Sequence, residues 1–474
     1  MVKSLHAPAI GGAAVPQNRP RTGVASLIAA PIDITSLAAF RFLFGLMMAG
    51  AMIRFLAKGW VTQFYVAPKY YFSYPGFAWV HPWPDPWMHV HFILLAVLAL
   101  GIAMGFFYRV CAVLFFLGFT YVELIDQTNY LNHYYLISLL SGLMIFLPAH
   151  RAWSVDAWRK PEWRVDTVPA WTLNLLRFQI GIVYFFAGLA KINSDWLFKA
   201  EPLGIWLAAR GDLPVIGPLL GRHWVAYGAS WFGAAFDLSI VFFLLWRRSR
   251  GIAFLFVIFF HVMTWLLFNI GMFPWVMLVA ATVFFSADWP RRLLLRFCQW
   301  RAGPFNNISE RIRSLAVSKT GERPLPWRTQ PAILSALAIY AAIQLALPLR
   351  SFFCTIPPGW SYAGFNCAWR VMIVEKTGYV EFNAFDPGSN RHWRVPIEDY
   401  LTPRQEALMA QDPDLIRAMA RHLAADLRRH GFKKIEIHAD AFATLNGRPS
   451  QRLIDPKVDL ASHVPNGWIL PMVN

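Results

Sequence analysis

Lys191, His133 and His261 are ionisable side chains set in, or at the ends of, stretches otherwise built from apolar residues. Ionisable groups at such depth are costly and usually face a bundle interior or a cavity. An amine there loses hydration, which disfavours its charged form. Such a lysine can take a proton from a weak acid, which an ordinary surface lysine cannot do. The competing reading of Lys191 is an interface anchor that snorkels, and that of a single histidine is a satisfied core residue. Arg41, Glu123, Arg177 and Asp237 also fall inside apolar runs. Their plain reading is structural pairing, Arg41 or Arg177 with Glu123 or Asp237, which holds helix register but does no chemistry.

The elements that must position these groups are membrane helices. Of 474 residues, 57% are hydrophobic and only 15% charged, against about 25% charged in a soluble domain. Nine apolar runs approach the length needed to cross a bilayer, at 34–57, 89–107, 109–125, 129–148, 169–190, 227–246, 251–269, 272–287 and 331–347. The net charge of +17 could suggest a nucleic-acid partner. Its lysines and arginines instead gather in short segments beside apolar runs: Lys3, Arg19 and Arg21; Arg151, Arg159, Lys160 and Arg164; Arg247, Arg248 and Arg250; and Arg291 to Arg328. If nine helices alternate, all four segments share one side, which the positive-inside rule makes cytoplasmic. Lys191 then ends the fifth run, His133 opens the fourth and His261 sits late in the seventh, so all three reach the outer leaflet, with Asn132 and Asn269 beside them.

The expected architecture is therefore an all-α polytopic membrane bundle followed by a small α+β extracytoplasmic domain. Its parts are a disordered cytoplasmic tail (1–30), a transmembrane domain (31–290), a basic cytoplasmic loop (291–330), a last membrane helix (331–349) and the extracytoplasmic domain (350–474). That domain has β-favouring stretches at 369–382 and 434–441 and an amphipathic helical stretch at 403–430. Segment 64–86, rich in Tyr, Trp and Pro, suits an interfacial belt, and 195–222 has the amphipathic character of a surface segment. The cysteines, Cys111, Cys298, Cys354 and Cys367, form no zinc or redox pattern, and no metal is expected. Cys354 and Cys367 flank a loop and could form a disulfide if that loop faces an oxidising compartment.

Several segments resemble the vitamin K-dependent γ-glutamyl carboxylase family. They are Ser36-Leu37-Ala38-Ala39-Phe40-Arg41-Phe42-Leu43-Phe44-Gly45, Asp126-Gln127-Thr128-Asn129-Tyr130-Leu131-Asn132-His133, Leu176-Arg177-Phe178-Gln179-Ile180, Val183-Tyr184-Phe185-Phe186-Ala187-Gly188-Leu189-Ala190-Lys191-Ile192-Asn193-Ser194-Asp195-Trp196, Phe260-His261-Val262-Met263 leading to Ile270-Gly271-Met272-Phe273, and Asp455-Pro456-Lys457-Val458-Asp459. The resemblance runs in order from about residue 33 to 465.

It implies that Lys191 is the base that deprotonates a reduced vitamin K, a menaquinol- or phylloquinol-like hydroquinone. Oxygen then adds, and collapse toward the epoxide releases a base strong enough to take a γ-proton from peptidyl glutamate, whose carbanion attacks carbon dioxide. Quinol oxidation supplies the driving force, and a dry site protects the strong base from water. The resemblance further implies that His133 handles the carbanion or carbon dioxide and His261 the quinone or oxygen. It puts Asn132, Asn269, Arg177 and Gln179 near the quinone and Trp369 near the glutamate substrate. It departs from the family at Ala190, where a second lysine is expected, and at Phe365 and Val374, where polar or aromatic hydroxyl and imidazole groups are expected.

The implied partners are membrane lipid, quinone and a glutamate-containing peptide or protein. The implied setting is a bacterial inner membrane, with the N-terminus cytoplasmic and the last domain periplasmic. Two rivals stand beside the enzyme: a non-catalytic helical module that binds quinone, lipid or protein, and a transporter, for which no inverted repeat is visible. The enzymatic reading needs Lys191 near the imidazoles, and neither bathed in solvent nor locked in an ion pair away from them.

Overall fold

The computed structural model describes residues 28–302, 330–354, 356–357 and 359–471. The expected disordered tail through residue 27, and 303–329 of the expected basic loop, lie outside the described residues.

Helices occupy all nine expected apolar runs: α1 Thr35–Ala57, α2 Trp87–Met104, α3 Tyr108–Ile125, α4 Asn132–Phe146, α5 Trp171–Ala190, α6 His223–Leu245, α7 Arg250–Leu267, α8 Phe273–Ala281 and, after α9 Trp289–Ala302, α10 Gln330–Leu349. Among the described residues, 7 helices are long and apolar enough to cross a membrane, or 8 if one bent pair counts as a span. The expectation of about nine is therefore trimmed. α4 has 15 residues, a rise of about 22 Å, short of the roughly 30 Å of hydrocarbon. α8 has 9 residues and continues through a 3-10 turn, Thr282–Phe284, before the chain swings by 91° into α9. Pro290 stands at the start of α9, where a proline is accommodated and cannot continue a helix from before it.

Close backbone approach holds the first helices together. A β-carbon at Gly45 would fall 2.5 Å from the backbone nitrogen of Ala103, so α1 and α2 meet through small residues as membrane helices commonly do. The surface segment after α5 folds into Asp195–Lys199, Leu203–Ala208 and Gly217–Leu220, which pack Trp196, Leu203, Leu207 and Leu220 against Ala226 and Ala234 of α6. Part of the expected interfacial belt is buried instead: Phe72 joins the core of the C-terminal domain, while Trp79 and Trp83 stay exposed.

The C-terminal domain is a four-stranded antiparallel sheet, β3 Lys376–Asp386, β4 Arg391–Val395, β5 Glu436–Leu445 and β6 Gln451–Arg452, in the order β4-β3-β5-β6. (β1 Pro31–Asp33 and β2 Thr167–Pro169 form a separate ribbon at the base of the bundle.) Inward residues of β5 alternate strictly, as a sheet with one covered face requires. The expected single helix at 403–430 is two, α11 Pro403–Met409 and α12 Pro413–Arg429. Pro413 cannot donate to a preceding turn, and Asp412 caps α12 by accepting from Asp414 N and Leu415 N. The expected strand at 369–382 begins only at Lys376. The residues before it take positive φ at Cys367, Trp369 and Met372, which a strand cannot contain.

Candidate active site

Lys191 caps the C-terminus of α5, and its side chain reaches back along the helix to α6. Its Nζ lies 2.7 Å from Asp237 Oδ2, and both side chains are 6% exposed. The same ammonium donates to Ala187 O at 3.3 Å and Val371 O at 3.5 Å and sits 5.2 Å from the ring centre of Trp196. Val371 belongs to the strained segment before β3, so the C-terminal domain supplies one wall of the lysine's surroundings.

Lys191 and Asp237 line a cavity of about 290 Å³. Its walls come from Tyr184 on α5, Phe232 on α6, His261 and Phe260 on α7, Phe273 on α8, and Met372. Apart from the Lys191–Asp237 pair, His261, Tyr184 and Thr264, the walls are apolar or aromatic. Phe232 and Phe259 line it and are themselves exposed, so the cavity borders the apolar surface that the bundle turns to lipid.

His261 is 1% exposed. Its Nε2 lies 2.8 Å from the Tyr184 hydroxyl, while its Nδ1 is buried with no hydrogen-bond partner among the described residues. In either tautomer one ring nitrogen is left unsatisfied, a state that costs free energy unless a ligand oxygen or water completes it. His133 stands behind the cavity wall. The ring centres of His133 and His261 are each 6.1 Å from that of Phe273, so one aromatic ring separates the two imidazoles.

The other expected site residues are placed elsewhere. Arg177 lies 14 positions before Lys191 on α5, about 21 Å along the axis, and donates to Val283 O and Phe285 O. It thereby satisfies carbonyls freed where α8 ends. Gln179 is about 18 Å from Lys191 along the axis and accepts from the Tyr340 hydroxyl at 2.5 Å. Neither lines the cavity. Asn132 accepts from Tyr130 and donates to Arg370 O at 3.3 Å, a joint between the domains. Asn269 is exposed and outside the cavity lining. Trp369 is 1% exposed and stacks on Tyr135 with ring centres 5.0 Å apart. It wedges the C-terminal domain into the bundle.

The expected pairings also change. Asp237 pairs with Lys191, not with an arginine. Arg41 donates to Ile102 O and Trp153 O, closing the end of α2. Cys354 and Cys367 are free thiols, not the expected disulfide; Cys354 Sγ faces Arg350 O, and the backbone N–H of Cys367 donates to the Tyr130 hydroxyl. Sequence reasoning missed Tyr184, although it lies seven positions before Lys191 and so on the same helix face. It also missed Val371, for which adjacency in sequence gave no sign.

Residues 29–289 match the HTTM domain family, and residues 329–474 match the vitamin K-dependent gamma-carboxylase lumenal domain family. The chain belongs to the vitamin K-dependent gamma-carboxylase family. The two matched regions coincide with the helical bundle carrying Lys191 and with the domain that closes over it. No solved structure matches the chain. For a carboxylase-family chain, an integral membrane bundle carrying a lumenal C-terminal domain is the arrangement these matches describe.

Proposed function

We propose that the cavity binds the ring of a reduced naphthoquinone and that the Lys191–Asp237 pair takes its hydroxyl proton, as the first step of a quinol-dependent epoxidation coupled to carboxylation of peptidyl glutamate. The observation that carries this reading is a lysine amine and a carboxylate 2.7 Å apart, in an otherwise largely apolar cavity that also contains His261.

The residues present fit such a ring. The walls are aromatic and aliphatic, and the unsatisfied Nδ1 of His261 is a ready partner for a phenolic oxygen. The Lys191–Asp237 pair holds one proton between nitrogen and oxygen and is neutral overall. One further proton converts it to lysine ammonium beside a neutral carboxyl, a net cation that favours the anion created next to it. A closed ion pair is therefore compatible with proton uptake here, because the receiving unit is the pair and not the amine alone. Tyr184 holds the His261 ring in place, and the dry walls keep water from quenching a strong base. When bound, a reduced naphthoquinone supplies the driving force through its oxidation by molecular oxygen.

Membrane lipid would deliver the quinone, and a glutamate-containing peptide would approach from the side of the C-terminal domain. With the basic segments cytoplasmic, that side is periplasmic in a bacterial inner membrane. The test is purified protein in detergent with reduced vitamin K and oxygen, with the epoxide quantified, followed by incorporation of labelled carbon dioxide into glutamyl peptides. Wild type is expected to form the epoxide and Lys191→Ala to lose at least a hundredfold in rate. Equal rates would remove Lys191 from the chemistry. A second reading is a quinone-binding module without catalysis, favoured by the ion pair that pins Lys191 to α6. It predicts quinone binding by wild type with no epoxide.

A further inference from the structure

Arg54 lies in the last turn of α1, partly buried, with its Nε shielded from solvent and without a hydrogen-bond partner. Among the described residues its guanidinium makes no hydrogen bond and no ion pair. It stacks instead on Trp60, with Cζ 4.8 Å from the ring centre. Beside it is Gly271, where a β-carbon would lie 3.7 Å from Arg54 Nη2 and 4.0 Å from His133 Nε2. The two nitrogens thus border the same small space, left open by a residue with no side chain and a φ of +63°. Across Phe273 lies the Lys191 cavity.

A cation partly withdrawn from water and left without an ion pair is a ready partner for an anion, because buried charges in proteins are normally paired. The planar fork of arginine matches a carboxylate bidentately, and stacking on an aromatic ring fixes its plane beforehand. We infer that Arg54, with His133, binds the side-chain carboxylate of the glutamyl acceptor, one aromatic ring away from the Lys191 cavity. This names the substrate subsite of the reaction proposed above and rests on that reading. Arg54 holds the carboxylate and His133 contacts the same group from the other side. The γ-carbon is thereby held next to Phe273, at the border of the chamber in which the strong base would be generated.

The experiment labels arginines of the full-length wild-type protein in detergent with phenylglyoxal and maps adducts by mass spectrometry. The probes are N-acetyl-glutamate amide, N-acetyl-glutamine amide and bicarbonate. The glutamate derivative is expected to slow Arg54 labelling at least fivefold, with the glutamine derivative and bicarbonate changing it less than twofold. Equal labelling with all three probes overturns the inference, as does protection by bicarbonate alone. An Arg54 that does not label without a probe overturns it too, since a site closed to phenylglyoxal is closed to a glutamyl chain. In carbon dioxide incorporation, Arg54→Gln is expected to raise the KM for the glutamate derivative at least tenfold and Arg54→Lys by less; an unchanged KM in both overturns the inference. Labelling needs neither quinol nor turnover. Epoxide formation without protection therefore sinks this subsite alone, whereas protection without epoxide sinks the quinol reading and leaves the carboxylate site standing.

Discussion

A β-carbon placed on Gly188 would fall 2.8 Å from the backbone nitrogen of Leu238. The main chains of α5 and α6 therefore touch beside Asp237, which pairs with Lys191. Gly188→Ala must push the two helices apart, because the obstructing atom is backbone and cannot rotate away. The expected cost is about 1–3 kcal/mol of stability, with a larger proportional loss of epoxide formation because the ion pair lengthens. Thermal unfolding in detergent and the epoxide assay, run on the same preparation, check both parts.

Removing one member of the Lys191–Asp237 pair leaves a buried charge uncompensated. Lys191→Met and Asp237→Leu are each expected to destabilise the bundle by about 3–5 kcal/mol, and the double variant to recover most of that loss. All three are expected to lack epoxide activity. A double-variant cycle on thermal stability measures the coupling. Singles that cost nothing would mean that the pair is solvated in the working protein.

The C-terminal domain is latched to the bundle by Arg448, whose Nη1 and Nη2 lie 2.6 and 2.8 Å from the two carboxylate oxygens of Asp195, with Asn446 donating to the same carboxylate at 3.0 Å. Burial alone would raise the Asp195 pKa, but the hydrogen bonds from Arg448 and Asn446 outweigh it and hold the group below the ordinary carboxylate range. A depressed carboxylate contributes stability that is full above the unfolded value of about 3.9 and is lost as pH falls through the folded value. The latch is thus expected to hold throughout the neutral range and open only in strong acid. Arg448→Ala should open it at pH 7, read as faster amide exchange across residues 371–376.

Lys376 is buried in the C-terminal domain, donating to Trp360 O at 2.7 Å. Burial lowers its pKa to about 8, partly opposed by Asp412. The unfolded chain therefore binds more protons between about pH 8 and about 10.4. Stability from this group rises with pH across that window and is lost as pH falls through about 8. Lys376→Met is expected to flatten the wild-type rise. The difference between the two stability profiles, followed by thermal unfolding from pH 7 to 11, isolates the contribution.

The sequence alone determined that this chain crosses a membrane and which nine stretches become helices, because length and apolarity over about 20 residues leave few alternatives. It also placed Lys191 and His261 at one depth, since helix rise converts position into height. Depth says nothing about rotation or neighbours. Arg177 and Gln179 are near Lys191 in sequence but lie on the far side of the bundle's thickness, and His133 is divided from His261 by Phe273. The pairing of Lys191 with Asp237 was decided by tertiary structure, because two arginines were equally plausible partners until α5 and α6 met at Gly188. So was the contribution of Val371 from a separate domain, a long-range contact with no local pattern to announce it. Charge and periodicity fix what each segment must bury; only packing fixes which buried group meets which.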